Sequence, residues 1–245
     1  MYHQNSVEIF DFQMLPGKVE KLEDQNVHLW RINRNVYLDK KNYSEYFLSE
    51  DEQNRAQRFR FRKDHDLFVM GRYITKVMLA YYTGTTPESV KIVPDSFGKP
   101  RCDMNLFFNI SHSGDQLFLG FSTTEIGVDI ERIDSEADTE KIGERHFSEI
   151  EFQNLMSSPR NERVEVFFEI WTKKEALIKG IGKGLSIPLQ GFNIYSPNGE
   201  VLWELQSENK YGKWNVQNIE AKQGFKSAIA TQNKGFEIKY FCHDK

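Results

Sequence analysis

The spacing of hydrophobic and polar residues predicts short strands combined with two long helices. Val27 and Leu29 alternate with polar positions, which is the period of a half-buried strand. Apolar residues at helical spacing extend from Asp66 to Tyr82 and again from Val164 to Lys179. Gly84 follows the first of these segments, as expected where a helix ends. The pattern therefore predicts a mixed α and β chain.

Shorter patterns predict the remaining elements. Ser49 followed by three acidic residues is a signal for the start of a helix, and residues 134–163 are polar and helical in part. After Pro188, apolar residues at alternating positions predict a β-rich segment. Short apolar runs predict three further strands, at 106–110, 117–121 and 126–130.

A faint internal repeat divides these elements into two halves. Val27–Ile32 resembles Val128–Ile133, and Gln53 recurs as Gln153 with the same following asparagine. A real repeat would give each half a strand, a helix, a long helix and further strands. Chance similarity is the alternative.

Composition and charge narrow the class of protein. The chain has 245 residues, of which 39% are hydrophobic, so it can bury a core. A net charge of −4 argues against general nucleic-acid binding. Cys102 and Cys242 have neither metal-ligand spacing nor a disulfide framework, which favours a reducing compartment. No apolar stretch approaches the roughly 18 residues of a membrane span, and no secretory signal is present. We therefore expect a cytoplasmic protein that binds neither membrane nor nucleic acid.

Asp129 and Glu131 are the first candidate functional residues. Side chains alternate along a strand, so both carboxylates would share one face, about 7 Å apart. Mg²⁺ prefers oxygen ligands and commonly takes a few carboxylates together with substrate phosphates. A solvated polar face of an amphipathic strand is the alternative.

Glu175 and Lys179 lie four residues apart on one face of the second long helix. They could be a third metal ligand or general base and a phosphate-binding cation, or only a surface ion pair. The glycines that follow, Gly180, Gly182 and Gly184, would let the backbone approach a ligand, although glycines are also ordinary helix ends.

Further candidate residues occur in the first half. Five cations lie between Arg55 and Lys63, and they could bind a phosphorylated ligand or form a solvated helix end. Lys99 stands in a constrained Gly-Lys-Pro turn. Asn109, Ser111 and His112 place amide, hydroxyl and imidazole groups at a strand end, which suits phosphate or ribose binding. Ser111 and His112 would point in opposite directions, which argues against a serine hydrolase.

Taken in order, these segments resemble the 4′-phosphopantetheinyl transferases of the two-lobed, surfactin synthetase activator type. The resemblance extends from about Val27 to Ile194. Any one motif is weak, but four in order are a strong signal. The matching segments are 97–100, 108–114, 127–131 and 171–185.

The resemblance implies an α+β fold of two similar lobes related by a pseudo-twofold axis. Each lobe would be a small antiparallel sheet packed with a long helix. We therefore expect an N-terminal extension at residues 1–25, a first lobe at 26–123 and a second lobe at 124–245 that carries the metal site.

It also implies an activity, namely transfer of phosphopantetheine from coenzyme A to a serine of an acyl or peptidyl carrier protein. By position in the family's motifs, Asp129, Glu131 and Glu175 would hold Mg²⁺. Glu175 would also be the base for the carrier serine, and Lys179 would hold the transferred phosphate. The remaining coenzyme A contacts would come from Arg55, Lys99, Asn109, Ser111 and His112.

Two other functions stay open at the level of sequence. A metal-dependent phosphodiesterase or nuclease could use the same carboxylates and cations. A non-catalytic module that binds coenzyme A or a carrier protein could retain the fold. The sequence does not identify the acceptor among fatty-acid, polyketide and nonribosomal-peptide carriers. One chain with two lobes suggests a monomer.

Overall fold

The computed structural model describes residues 21–35, 47–195, 201–203, 210–233 and 235–243. The predicted N-terminal extension lies outside this part of the chain except at residues 21–25. Within the described residues the chain is mixed α and β, as predicted. In chain order the elements are β1 (Asn26–Asn33), α1 (Glu50–Gln57), α2 (Arg62–Thr83), β2 (Ile92–Pro94), β3 (Pro100–Cys102), β4 (Phe107–Ser113), β5 (Gln116–Ser122), β6 (Ile126–Arg132), α3 (Thr139–His146), α4 (Glu149–Ser157), α5 (Arg163–Ile181), β7 (Phe192–Asn193), β8 (Leu202–Trp203), β9 (Asn215–Asn218), β10 (Phe225–Thr231) and β11 (Glu237–His243).

Two sheets with matching strand orders support the internal repeat. The first sheet has the order β11-β1-β5-β4, and the second has the order β6-β10-β9. Strand β1 pairs antiparallel with β5 and β5 with β4, just as β6 pairs with β10 and β10 with β9. The long helices α2 and α5 occupy equivalent places in chain order. These paired strands and long helices therefore follow one plan in both lobes.

Strand β11 departs from the predicted division at residue 124. It pairs in parallel with β1, so it belongs to the first sheet although it is the last strand described. Phe241 of β11 stacks on Trp30 with ring centroids 4.5 Å apart. The pairing covers an edge that β1 would otherwise leave open beside Trp30, which is fully buried in this arrangement.

One helix in each lobe begins in the same way. Ser49 caps α1 and forms a reciprocal capping box with Glu52. Ser148 caps α4 and forms the same box with Glu151. The helix start predicted at Ser49 is therefore confirmed, and the equivalent device recurs in the second lobe.

A buried lysine then ties each capping glutamate to the long helix. The amine of Lys76 in α2 lies 2.9 Å from Glu52 and 2.7 Å from the carbonyl of Phe47. The amine of Lys174 in α5 lies 2.5 Å from Glu151 and 2.9 Å from the carbonyl of Phe192. Removing one partner of such a pair leaves an uncompensated buried charge, which is strongly destabilising. The two pairs thus fix both long helices in their lobes.

The lobes share a hydrophobic core at β1 and β6. Val27 and Leu29 of β1 pack in one cluster with Val128 and Ile130 of β6, and all four are at most 1% exposed. The inward-facing positions predicted on both strands are confirmed by this packing. The half-buried character predicted for β1 is wrong, because His28 and Trp30 on its other face are also fully buried. No helix among the described residues is both long and apolar enough to cross a membrane.

Candidate active site

The candidate site lies where β6 meets the edge strand β4 of the other sheet. The two strands are joined by side chains of β4 rather than by a backbone ladder. Alternate side chains of β4 accept hydrogen bonds from backbone amides of β6: Asn109 from Val128 at 2.9 Å, Ser111 from Ile130 at 3.3 Å and Ser113 from Arg132 at 3.0 Å.

The same hydroxyls orient the carboxylates of β6. Ser111 donates to Oδ1 of Asp129 at 2.9 Å, and Ser113 donates to Oε2 of Glu131 at 2.9 Å. Each serine therefore accepts from the β6 backbone and donates to a β6 side chain. This period-two arrangement holds Asp129 and Glu131 on the same face of the strand.

Helix α5 lies directly against β6 because two glycines permit it. A side chain at Gly127 would stand 1.9 Å from the carbonyl oxygen of Ala176, and one at Gly180 would stand 2.6 Å from the Trp214 ring. Gly127 therefore permits the close contact between α5 and β6, and Gly180 leaves room for the Trp214 ring. Gly182 ends the helix in the left-handed conformation, as the sequence suggested for a glycine at this position.

Close packing brings Lys179 of α5 to Asp129. The Lys179 amine lies 2.5 Å from Oδ1 of Asp129 and 2.9 Å from the hydroxyl of Ser111. Asp129 is 1% exposed, so the solvated-face alternative is wrong for this residue. Lys179 forms its salt bridge with Asp129 of β6. A simple surface ion pair between Glu175 and Lys179 therefore does not describe this face of the helix.

The charges of the neighbouring carboxylates interact. Burial raises the pKa of Glu175, and the negative charge of Asp129 raises it further, while Lys179 opposes both effects. The pKa of Glu131 is likewise raised by burial and by Asp129. The three carboxylates thus share one electrostatic environment, and a bound cation would relieve their repulsion.

The donor set fits a hard divalent cation in its chemistry. Oδ2 of Asp129 is buried and accepts no hydrogen bond from the described part of the chain, so a cation could satisfy it. Among the described residues, however, no three carboxylate, histidine or cysteine side chains are already gathered as a metal cluster. Ligation by Asp129, Glu131 and Glu175 stays a prediction.

His112 and Arg34 extend the cationic side of the site. His112 follows Ser111 and is exposed, so the two side chains point in opposite directions as predicted. Partial desolvation lowers the pKa of His112, and the nearby charges of Lys179 and Arg34 lower it further. Two cations beside an imidazole suit a phosphate group.

Three predicted coenzyme A residues lie elsewhere or make other contacts. Arg55 is exposed on α1 and lines a cleft of about 580 Å³ between α1, α2 and β2, which no residue of the Asp129 group lines. Its guanidinium lies 5.2 Å from the centre of the Phe68 ring. Asn109 is buried and bonded to β6, and Lys99 is buried with protein acceptors around its amine.

Sequence reasoning overlooked Ser113 and Arg34. Ser113 lies in the matching segment 108–114 but was given no role, although its spacing of two from Ser111 on a strand could have placed both hydroxyls on one face. Arg34 lies just beyond β1, and no motif marks it.

Comparison with known proteins agrees with the predicted family. The chain matches the family profile described as the 4′-phosphopantetheinyl transferase superfamily over residues 125–231. It matches the profile described as 4′-phosphopantetheinyl transferase, N-terminal, over residues 39–123. The two matches divide the chain almost where the two lobes meet.

Individual relatives cover most of the chain. The 4′-phosphopantetheinyl transferase gsp of Aneurinibacillus migulanus is 33% identical over 82% of this chain and 81% of its own length. The transferase Sfp of Bacillus subtilis (strain 168) is 28% identical over 78% of this chain and 84% of its own. The transferase HetI of Nostoc sp. is 34% identical over 70% of this chain and 74% of its own length.

The two profile matches and these relatives place the two-lobed α+β chain among the transferases. Within that class, the chain belongs to the 4′-phosphopantetheinyl transferase family and is an enzyme of that type.

Proposed function

We propose that this chain transfers the 4′-phosphopantetheine group of coenzyme A to a serine of an apo acyl or peptidyl carrier protein. The reaction would depend on Mg²⁺ and release adenosine 3′,5′-bisphosphate. The observation that carries the proposal is the group formed by Asp129, Lys179 and Ser111, with Glu175 in the same electrostatic environment. It combines a candidate base, a phosphate-binding cation and carboxylates for a metal.

In this mechanism the carrier serine attacks the phosphorus that bears the pantetheine arm. A new bond forms between the serine oxygen and phosphorus, and the pyrophosphate bond to the bisphosphate breaks. Glu175 accepts the serine proton, directly or through water. In the cation-free site, burial and the charge of Asp129 raise the pKa of Glu175, which strengthens its carboxylate as a proton acceptor.

Lys179 would exchange its contact with Asp129 for one with the transferring phosphate. Its positive charge then stabilises negative charge as it develops on that group. His112 and Arg34 would bind the nucleotide phosphates. Asp129, Glu131 and Glu175 would hold Mg²⁺, which supplies neutralisation of the pyrophosphate.

Arg55 lies apart from the Asp129 group. Its place beside a cleft of the first lobe would let it bind a phosphate of coenzyme A only if the nucleotide reaches that cleft. Cytoplasmic location and a monomeric state likewise stay predictions.

The decisive experiment is intact-mass spectrometry of apo carrier proteins of fatty-acid, polyketide and peptide-synthetase type. Each is incubated with this protein, coenzyme A and Mg²⁺, with EDTA and Asp129→Ala as controls. We expect the mass of one phosphopantetheine group to be added, and to be lost in both controls. Hydrolysis of coenzyme A without any carrier would instead indicate a phosphodiesterase. Coenzyme A binding without transfer to any carrier would contradict the proposal.

A further inference from the structure

Lys99 projects from a rigid turn of the first lobe. Oδ1 of Asp95 accepts the backbone N–H groups of Phe97 and Lys99, each at 3.0 Å, and Gly98 between them has φ +90. The turn joins β2 to β3, which pair antiparallel on either side of it. The start of the Lys99 side chain is therefore fixed by its own lobe.

The Lys99 amine ends among acceptors of the other lobe. It donates to Oε2 of Glu125 at 2.9 Å, to the carbonyl of Ile126 at 3.1 Å and to the carbonyl of Gly180 at 2.5 Å. An ammonium has three N–H donors, so these acceptors use all of them. The side chain is 4% exposed, and none of its donors remains for a ligand in this arrangement.

The two carbonyls belong to the elements that carry the candidate active site. Ile126 begins β6, the strand of Asp129 and Glu131, and Gly180 lies in the last turn of α5, the helix of Glu175 and Lys179. Carbonyls in the last turn of a helix lack intrahelical partners, and a cation there is favourable. A single amine therefore joins the beginning of the strand to the end of the helix.

The groups around the Lys99 side chain leave little room for it to take another conformation. A side chain built at Gly182 would stand 2.7 Å from Cδ of Lys99, so the lysine stem fills the space beside the end of α5. Burial lowers the pKa of Lys99, and the charge of Glu125 opposes that shift. Arg101 shares Glu125 at 2.5 Å but has no bond to either carbonyl.

We propose that Lys99 is a positioning residue that fixes α5 against β6, and not a ligand of coenzyme A. This proposal rests on the transferase function proposed above. It differs from the family resemblance, which implied a cofactor contact for this lysine. The amine acts on catalysis by holding Glu175 and Lys179 at the correct distance from Asp129.

The test separates the rate of transfer from the binding of coenzyme A. In Lys99→Met the stem remains and the amine is lost. We expect kcat to fall by about 100-fold, because small misplacements of catalytic groups have effects of this size. The dissociation constant for coenzyme A, measured by calorimetry, should stay the same. Backbone amides at the start of β6 and the end of α5 should exchange faster with deuterium.

Further variants keep the test informative. Lys99→Arg keeps the positive charge, but a planar guanidinium cannot replace three tetrahedral N–H donors. It should bind coenzyme A normally and still turn over slowly. Glu125→Gln preserves both carbonyl contacts, so it should have a small effect. Lys183→Met is the matched control. Lys183 is a lysine just beyond the end of α5, and its amine lies over the Phe97 and Tyr211 rings.

A loss of coenzyme A affinity in Lys99→Met that Lys99→Arg restores would overturn the proposal and make Lys99 a ligand. Unchanged kcat and unchanged exchange in Lys99→Met would also overturn it. If Lys99→Met does not fold, Lys99→Arg and Glu125→Gln decide by the same measurements. Absence of transfer in the unchanged protein would refute the proposed function, while deuterium exchange would still report on the contact between helix and strand.

Discussion

At the scale of single residues, the site depends on side chains that each make two kinds of contact. Ser111 accepts from the backbone of β6 and donates to Asp129, while Lys179 bonds to both Ser111 and Asp129. Such a network is rigid when all its members are satisfied. The buried Oδ2 of Asp129 is the exception, and that makes Asp129 the centre of the proposed chemistry.

Glu175→Gln tests the proposed general base. An amide of nearly the same shape cannot accept the serine proton, so we expect kcat to fall by about 10²–10⁴-fold with coenzyme A binding largely retained. The measurement is the initial rate of carrier modification beside calorimetric titration of coenzyme A. Glu169→Gln is the control on the same helix, because Glu169 bonds to Lys173 and Asn218 instead. Near-normal turnover in Glu175→Gln would remove this residue from the mechanism.

The residues of the site were predictable from sequence where local spacing carried the information. Asp129 and Glu131 at strand spacing, and Glu175 and Lys179 at helical spacing, were correctly expected to share faces. Lys99 could not be placed in the same way. Its acceptors are distant in sequence, and two of them are backbone carbonyls that no residue type reveals.

At the scale of elements, the central relation is the packing of α5 on β6. Gly127 and Gly180 remove the side chains that would otherwise separate the two backbones. The short separation puts the Lys179 amine within bonding distance of Asp129. The sequence predicted both elements, but it did not predict their contact. The glycines after the helix were interpreted as allowing the backbone to approach a ligand, or as ordinary helix ends.

Gly127→Ala tests this packing directly. The added methyl would stand 1.9 Å from a backbone oxygen of α5, so the helix must move. We expect a loss of stability on the order of 1–3 kcal/mol and a large fall in transfer rate. Urea denaturation and the carrier assay measure the two effects.

Gly71→Ala is the matched control for this substitution. Gly71 lies inside helix α2, and its added methyl would lie 3.5 Å from a side-chain atom of Ile110. That distance is an ordinary van der Waals contact. Stability should stay the same or rise slightly, since alanine favours helix over glycine. Equal behaviour of the two variants would show that close approach at Gly127 is unimportant.

At the scale of the whole molecule, the lobes are joined in several ways. The side-chain ladder between β4 and β6, the shared core of β1 and β6, and the amine of Lys99 all cross between them. Strand β11 adds a further connection from the second lobe to the first sheet. The relative position of the lobes is therefore set by polar and apolar contacts together.

Phe241→Ala tests the contribution of β11. The ring stacks on Trp30 and lies 5.2 Å from the His28 ring, so its removal leaves a gap beside a fully buried tryptophan. We expect a loss of about 2–4 kcal/mol, somewhat below that of a fully buried phenylalanine. The neighbouring Tyr240→Ala is the control, because that side chain is 47% exposed. An equal denaturation midpoint for both variants would contradict a role of β11 in joining the lobes.

The two-lobed plan was predictable because the repeat preserves strand periods and the serine–glutamate capping signals. The membership of β11 in the first sheet was not predictable from the sequence. A strand in parallel pairing needs no turn with its partner, and its alternating pattern is the same whichever sheet it joins.

The pairing of β1 with β11 also has a consequence for the order of assembly. Asn26 lies opposite Glu237, so β1, which precedes the other described strands in sequence, meets this partner only after all of the other described strands have been made. The second lobe can fold through contacts between its own strands and helices. The edge of β1 that pairs with β11 stays unpaired until β11 has been made. Contacts of such long sequence separation form slowly. The exposed flank of β1 is thus the place where a nascent chain would benefit most from a chaperone.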